Sequence, residues 1–427
     1  MVRWFAAAVA LAVLVAACGD DADDDEAGGP RDVVSVGVLS DGPRAEPDPA
    51  ADPSLAGQAT LRFGAELFAA VAEASSGDEN VVVSPLSVAI ALAMVEPGAV
   101  GDAQERLREL LRMEDPAAFH ASMNALEQSL EARAAGSAEE GEVTMRVANA
   151  AYLQKEYPFR QDYLDVVGNH YGPVLNAVDF APDPDAVAHE INRFVDDETR
   201  GRITDLIPDG ALDADTRFAL VNALYLKASW LEVFDDDATE DGPFTRLDGS
   251  RVTVPMMHGT SSSSAQGDGW VAATKSYVGG LATQFILPDK GRFDDVARDW
   301  ERVLEQYEER QTRGAELVLP RFETRFGGEI SDPLKALGLG PLYETGGLLG
   351  IAGDPRLVVQ KAFHRTFVAM DEEGTEAAAA TAIIGEEVSA PVVPPVAVIL
   401  DRPFLFRIFD QETRATLFLG RILDPTA

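Results

Sequence analysis

The sequence predicts an α+β fold built on large sheets. Helical periodicity is concentrated in the first half of the chain, strand-type runs dominate the second half, and no regular βαβ alternation links them. The chain has 427 residues, 46% of them hydrophobic, which is ample for a large buried core. Length alone suggests two or three domains. The formal net charge is −37, and Arg far outnumbers Lys. That balance repels nucleic-acid phosphates and argues against a DNA or RNA partner.

The first segment, MVRWFAAAVALAVLVAACGD, has one Arg and then an apolar run from Trp4 to Ala17. This reads as the apolar region of a signal peptide (residues 1–17), too short for a comfortable membrane span. It ends in Val15-Ala16-Ala17-Cys18, which resembles the bacterial lipobox. Cys18, the sole cysteine, is therefore the expected lipidation site, and an ordinary secretory signal is the alternative. Either reading gives an exported, disulfide-free domain, and on the first reading it is held to the membrane only by the lipid. Residues 18–58 begin with an acidic run and continue in Pro/Asp/Gly-rich text, so they read as a disordered tether. The folded domain is expected over residues 59–427.

From Ala59 the texture changes. Phe63, Leu67, Phe68 and Val71 share one helical face. Val81–Val83 reads as a short buried strand. Ser84-Pro85 starts a helix, with Ser as N-cap and Pro at the first helical position. That helix, Pro85–Met94, is apolar nearly all round and must be buried. A polar helix follows over Gly101–Leu111, and residues 145–154 alternate like a strand. Residues 185–203 form an amphipathic helix, with Val187, Ile191 and Phe194 in register and Gly201 closing it. Residues 216–230 read as a long strand with both faces largely apolar. The segments TQFILP, ELVLPRF and LVVQKAFHRTFVAMDE (357–372) also read as strands. The chain ends in a hairpin around Asp410–Thr413.

A search for catalytic chemistry returns little. No G-x-S-x-G elbow, P-loop or G-x-G-x-x-G after a strand is present. His189-Glu190-Ile191-Asn192-Arg193 lacks the second His of a zinc helix. The five histidines are scattered, and carboxylates are too abundant in so acidic a chain to mark a pair. The expectation is a protein that is not an enzyme and uses no cofactor or metal.

Three blocks together resemble the serpins, the serine protease inhibitor superfamily. They are NVVVSPLSVAIALAMVEPGAVG (80–101), NALYLKASWLEVF (222–234) with Thr239 and Phe244 after it, and HRTFVAMDEEGTEAAAATA (364–382) followed by VILDRPFLFRI (398–408). The resemblance covers residues 59–424 and implies one serpin domain of about nine helices and three β-sheets. It also implies an exposed reactive-centre loop, offered to a target serine protease as a substrate. Once cut at the acyl-enzyme stage, the loop would insert into the largest sheet and trap the protease. The implied protein is a monomeric suicide inhibitor. The alternatives are a non-inhibitory serpin acting as a binding protein or scaffold, and an inhibitor of papain-like cysteine proteases.

The physics of residues 374–383 fits such an insertion. A strand buried between two others presents alternate side chains to each face. Counting from the hinge Gly374, Thr375, Ala377, Ala379, Thr381 and Ile383 would face the core, and Glu376, Ala378, Ala380 and Ala382 would face outward. The single charge falls outside, and a one-residue slip would bury it. About fourteen inserted residues at ~3.3 Å each span roughly 45 Å. By resemblance, Trp230, Arg321 and Glu372 belong to the "breach" where the sheet first opens, with Arg321 paired to Glu372. Ser84, Ser87, Asn222 and His364 belong to the "shutter" beneath the middle of the sheet. Family spacing puts the reactive bond at Val388-Ser389. The loop is a few residues longer than the family leads one to expect, so Val392 or Val393 is an alternative, as is a cut at Glu387-Val388. A Val at the bond suits elastase-like or subtilisin-like proteases.

Overall fold

The apolar segment at 85–95 sets the architecture, because a helix with no polar face has to be covered on all sides. The computed structural model describes residues 37–38 (backbone only), 44–136, 143–172, 174–375 and 397–427. Along the chain, β1 (Gly37–Val38) precedes α1 (Pro53–Ala74), β2 (Val81–Val83), α2 (Pro85–Val95), α3 (Asp102–Leu110) and α4 (Pro116–Gly136). Next come β3 (Val143–Gln154), α5 (Gln161–Tyr171), β4 (Leu175–Val178), α6 (Pro184–Glu198) and β5 (Phe218–Ser229). The middle is mostly sheet: β6 (Glu240–Thr245), β7 (Arg251–Thr260), β8 (Ser263–Gly267), β9 (Trp270–Ser276) and β10 (Leu281–Pro288). After α7 (Phe293–Ala297) and α8 (Trp300–Arg310) follow β11 (Thr312–Arg313), β12 (Glu316–Pro320), β13 (Phe322–Glu329), α9 (Ser331–Leu334) and α10 (Leu349–Ala352). The last strands are β14 (Lys361–Met370), β15 (Gly374–Thr375), β16 (Ala397–Ile399), β17 (Phe404–Asp410) and β18 (Thr416–Ile422).

The strands form three sheets. The main sheet has the order β1-β4-β3-β5-β15-β14-β13, the second β11-β8-β9-β10-β17-β18-β2, and the third β16-β12-β7-β6. Every residue of α2 is buried, and the helix packs against β3 and β5 of the main sheet, β18 of the second and α1. The opposite face of the main sheet is covered by α6 through Val187, Ile191 and Val195. This explains why β5 reads as apolar on both faces. Leu220, Leu224 and Leu226 enter the inner core, while Ala219, Val221 and Ala223 enter the outer one.

The α+β expectation with three sheets holds, with ten α-helices among the described residues, two of them single turns. Residues 34–427 form one compact unit, against the two or three domains suggested by length. The expected tether boundary at residue 58 is corrected. The first helix begins at Pro53, where Asp52 caps it by accepting a 2.9 Å hydrogen bond from the Ser54 N–H. Upstream, the Arg44 guanidinium donates to Asn124 Oδ1 (2.6 Å) and the His170 carbonyl (2.9 Å) and pairs with Glu127. A polar, Pro-rich stretch is held in place because its one Arg reaches a buried carboxylate. A second correction concerns ELVLPRF, expected as one strand. It breaks at Arg321 into β12 and β13, which belong to different sheets. Signal segment 1–17, Cys18, the hinge residues Glu376, Ala377, Ala378, Ala379, Ala380 and Thr381, and the bond Val388-Ser389 lie outside the described residues.

Candidate functional site

The site is a wedge in the main sheet. Strands β5 and β14 pair directly and in parallel from Ala219↔Lys361 to Leu224↔Thr366. Beyond that point β15 lies between them. Gly374 and Thr375 pair antiparallel with Ser229 and Ala228 of β5, and Thr375 also pairs with Met370 of β14. Two parallel strands, open at one end with an antiparallel residue pair between them, form a slot for one further strand.

The chain turns tightly from β14 into β15. Asp371 makes the turn, its carboxylate accepting from the N–H groups of Glu373 and Gly374, both at 3.0 Å. Burial raises the Asp371 pKa, opposed by those two hydrogen bonds. Thr375 is fully buried, and its hydroxyl meets the Tyr277 hydroxyl at 2.6 Å. Tyr277 in turn stacks on the Trp230 indole, with centroids 4.1 Å apart and planes within 9°. Trp230 holds the turn at two points. Its indole N–H donates to the Asp371 carbonyl (3.0 Å) and its backbone N–H to the Glu373 carbonyl (2.8 Å).

The three residues expected at the breach meet here. Glu372 is buried, and its Oε1 accepts from Arg321 and from the Thr239 hydroxyl (2.7 Å). Burial alone would raise its pKa, but the Arg321 and Thr239 hydrogen bonds outweigh it and hold the carboxyl below its ordinary range. Sequence reasoning missed Tyr277, Thr239 and Asp371 as parts of this cluster. Asp371 carried a local signal, since an Asp three residues before a Gly is turn chemistry. Tyr277 carried none.

A second polar cluster lies lower on the same two strands. His364 is adjacent to Asn222 across the β5–β14 pair, and Asn222 is opposite Asn149 across β3–β5. The Ser84 N–H donates to His364 Nε2 (3.0 Å), so the ring proton sits on Nδ1 and is donated to Asn222 Oδ1. The Asn222 amide donates to Asn149 Oδ1 (2.6 Å), which also accepts from the Ser87 hydroxyl (2.9 Å). The Asn149 amide closes the path on the Ser87 carbonyl (3.1 Å). All four expected shutter residues are thus brought together, joined by Asn149, which sequence reasoning missed. Its signal was a lone amide in the apolar run VANAAYL. Burial pulls the His364 pKa down to about 4, so the ring is neutral at pH 7. Among the described residues no group of His, Cys, Asp and Glu is arranged to hold a metal ion.

Comparison with known proteins gives a consistent result. The family model described as Serpin (serine protease inhibitor) matches residues 58–425. The chain is similar to Serpin-ZXA of Oryza sativa subsp. japonica, 33% identical over 86% of this chain and 95% of the relative. It is also similar to the leukocyte elastase inhibitor of Bos taurus, 31% identical over 86% of this chain and 98% of the relative. Among solved structures, Arabidopsis AtSerpin1 in its native stressed conformation superposes with a TM-score of 0.74 at 27% identity, covering 88% of this chain and 99% of that one.

Proposed function

Since the chain belongs to the serpin (serine protease inhibitor) family, we propose that it inhibits serine proteases by a single-use mechanism. A protease cuts within residues 386–393, at Val388-Ser389 in the favoured register, and the freed segment enters the main sheet while the enzyme is still acylated. The observation that carries this reading is β15, two residues of the segment already seated between β5 and β14. Continued at the same register, residues 376–384 would fill the slot, and Ile384 would lie between Ala219 and Lys361. Those two residues are each other's partners in the closed sheet. The newcomer would be antiparallel to both neighbours, replacing one ladder with two. Thr375, Ala377, Ala379, Thr381 and Ile383 would face the inner core, and Thr381 would arrive between Asn222 and His364.

The cattle relative is named for inhibiting leukocyte elastase, and a Val at the bond suits elastase-like and subtilisin-like proteases alike. We place the protein outside the cell, lipid-anchored through Cys18, on the lipobox-like Val15–Cys18 alone, and take it as a monomer on the family resemblance. Incubation with pancreatic elastase or subtilisin should yield an SDS-stable 1:1 complex that loses protease activity. Clean cleavage with full protease activity recovered, across a broad panel of serine proteases, would refute inhibition.

A further inference from the structure

We propose that the pocket between the β6–β7 turn, the β10–α7 loop and the exit of β16 binds a small organic anion with a flat apolar body. The pocket encloses about 260 Å³, and no residue of β5, β14 or β15 lines it. Four cations line it: Arg246, Arg251, Lys290 and Arg402. This is a concentration of positive charge in a chain with 35 Lys and Arg against 72 Asp and Glu.

Two of the four are neutralised. Arg246 donates to Asp424 at 2.6 Å, and Arg402 to Asp401 at 2.9 Å. The side chains of Arg251 and Lys290 have no hydrogen-bond or ion-pair partner among the described residues. The remaining acid in the wall, Asp289, offsets one of them, so a net positive charge faces the cavity. Apolar side chains line the cavity too. Phe293 and Pro403 line it, and Leu247 stands 54% exposed at the rim, one of few large apolar side chains so open to solvent. Unpaired cations and apolar side chains in one cavity select a ligand that is both anionic and apolar. An aryl carboxylate or aryl sulfonate has that form, and an inorganic anion would leave Leu247 uncovered.

The walls are preformed. The Thr245 N–H donates to the Asp401 carbonyl (2.8 Å), and Arg402 Nε donates to the Pro288 carbonyl (3.1 Å), tying the three loops together without a ligand. The test is isothermal titration of the intact protein with 2-naphthalenesulfonate, with neutral 2-naphthol for comparison. One site is expected, with 2-naphthol at least about tenfold weaker. Arg251→Glu and Lys290→Glu, both at exposed positions, should each weaken the sulfonate at least about tenfold, while Arg313→Glu on β11 leaves it unchanged. Sulfonate binding that survives both reversals would place the ligand elsewhere, and no binding up to about 10 mM would remove the site; either result overturns the proposal.

Discussion

At Gly374 there is no room for a side chain. A Cβ there would lie 2.1 Å from the Ala228 carbonyl oxygen of β5, so the close approach of two backbones requires glycine. The next residue sets the chemistry of entry into the sheet. Thr375 is buried against Tyr277, and Thr381 would meet Asn222 and His364 three pleat repeats further on. The side chains that meet these hydroxyls, Tyr277 at one site and Asn222 with neutral His364 at the other, carry no charge, and burying a cation against them carries a heavy desolvation cost. Thr375→Arg and Thr381→Arg should therefore each turn an inhibitor into a substrate, with the SDS-stable fraction falling at least about tenfold as the cleaved fraction rises. Normal complex formation by both variants would show the register to be wrong. His364 yields a pH dependence. Its folded pKa, about 4, lies below the ordinary 6.5, so between those values the unfolded chain binds a proton that the folded one does not. Stability is full above pH 6.5 and falls as pH drops toward 4, by up to roughly 3 kcal/mol from this group. Urea midpoints measured from pH 7 to pH 4 should decline in the wild type and decline less in His364→Gln.

Among the elements, strands with a marked period were legible in the sequence and those defined by distant partners were not. The helix at 85–95 announced itself by a Ser-Pro cap and an unbroken apolar run, and β5 by two apolar faces. The hairpins β6–β7 and β8–β9 were missed because they mix Ser, Thr, Gly and Pro with few large apolar residues. Their strand character comes from pairing within their sheets, with each other and with β10, β11 and β12, rather than from local pattern. The helix α4 was missed for a related reason. It buries His120, Asn124 and Glu127 on the face that meets α5 and the 44–48 segment, and Ser122 against the start of α1, so no clean apolar stripe shows. That face also explains why the tether was drawn too long. Glu127 is buried enough to push its pKa up to about 7 despite the pull of Arg44. Arg44→Ala should cost about 1–3 kcal/mol, read as a lower urea midpoint, because a buried carboxyl loses its partner. Adding Glu127→Leu should recover most of the loss; a double variant no better than the single would mean that Arg44 acts through its other hydrogen bonds.

For the molecule as a whole, the central feature is a sheet that is closed at one end and wedged open at the other. The direct β5–β14 ladder is short and parallel, and the strand to be added would bring pairing on both sides together with burial of small side chains from residues 376–384. On the proposed mechanism the native arrangement leaves a more stable one within reach, to be released by the cut. Of the expected hinge, Gly374 and Thr375 are seated in the sheet in the expected register, and the remainder lies outside the described residues. The wedge was not legible in the sequence, since its shape depends on where β5 and β14 part. On the same mechanism, inserting the strand would break the His364–Asn222 hydrogen bond, and the polar cluster would act as a latch that Thr381 has to satisfy again. The most direct test is the thermal midpoint of the intact protein against the same protein nicked once between residues 385 and 393 by a non-target metalloprotease. Insertion predicts a rise of at least about 10 °C after the cut, the two fragments remaining associated. A midpoint that is unchanged or lower after the cut would contradict insertion.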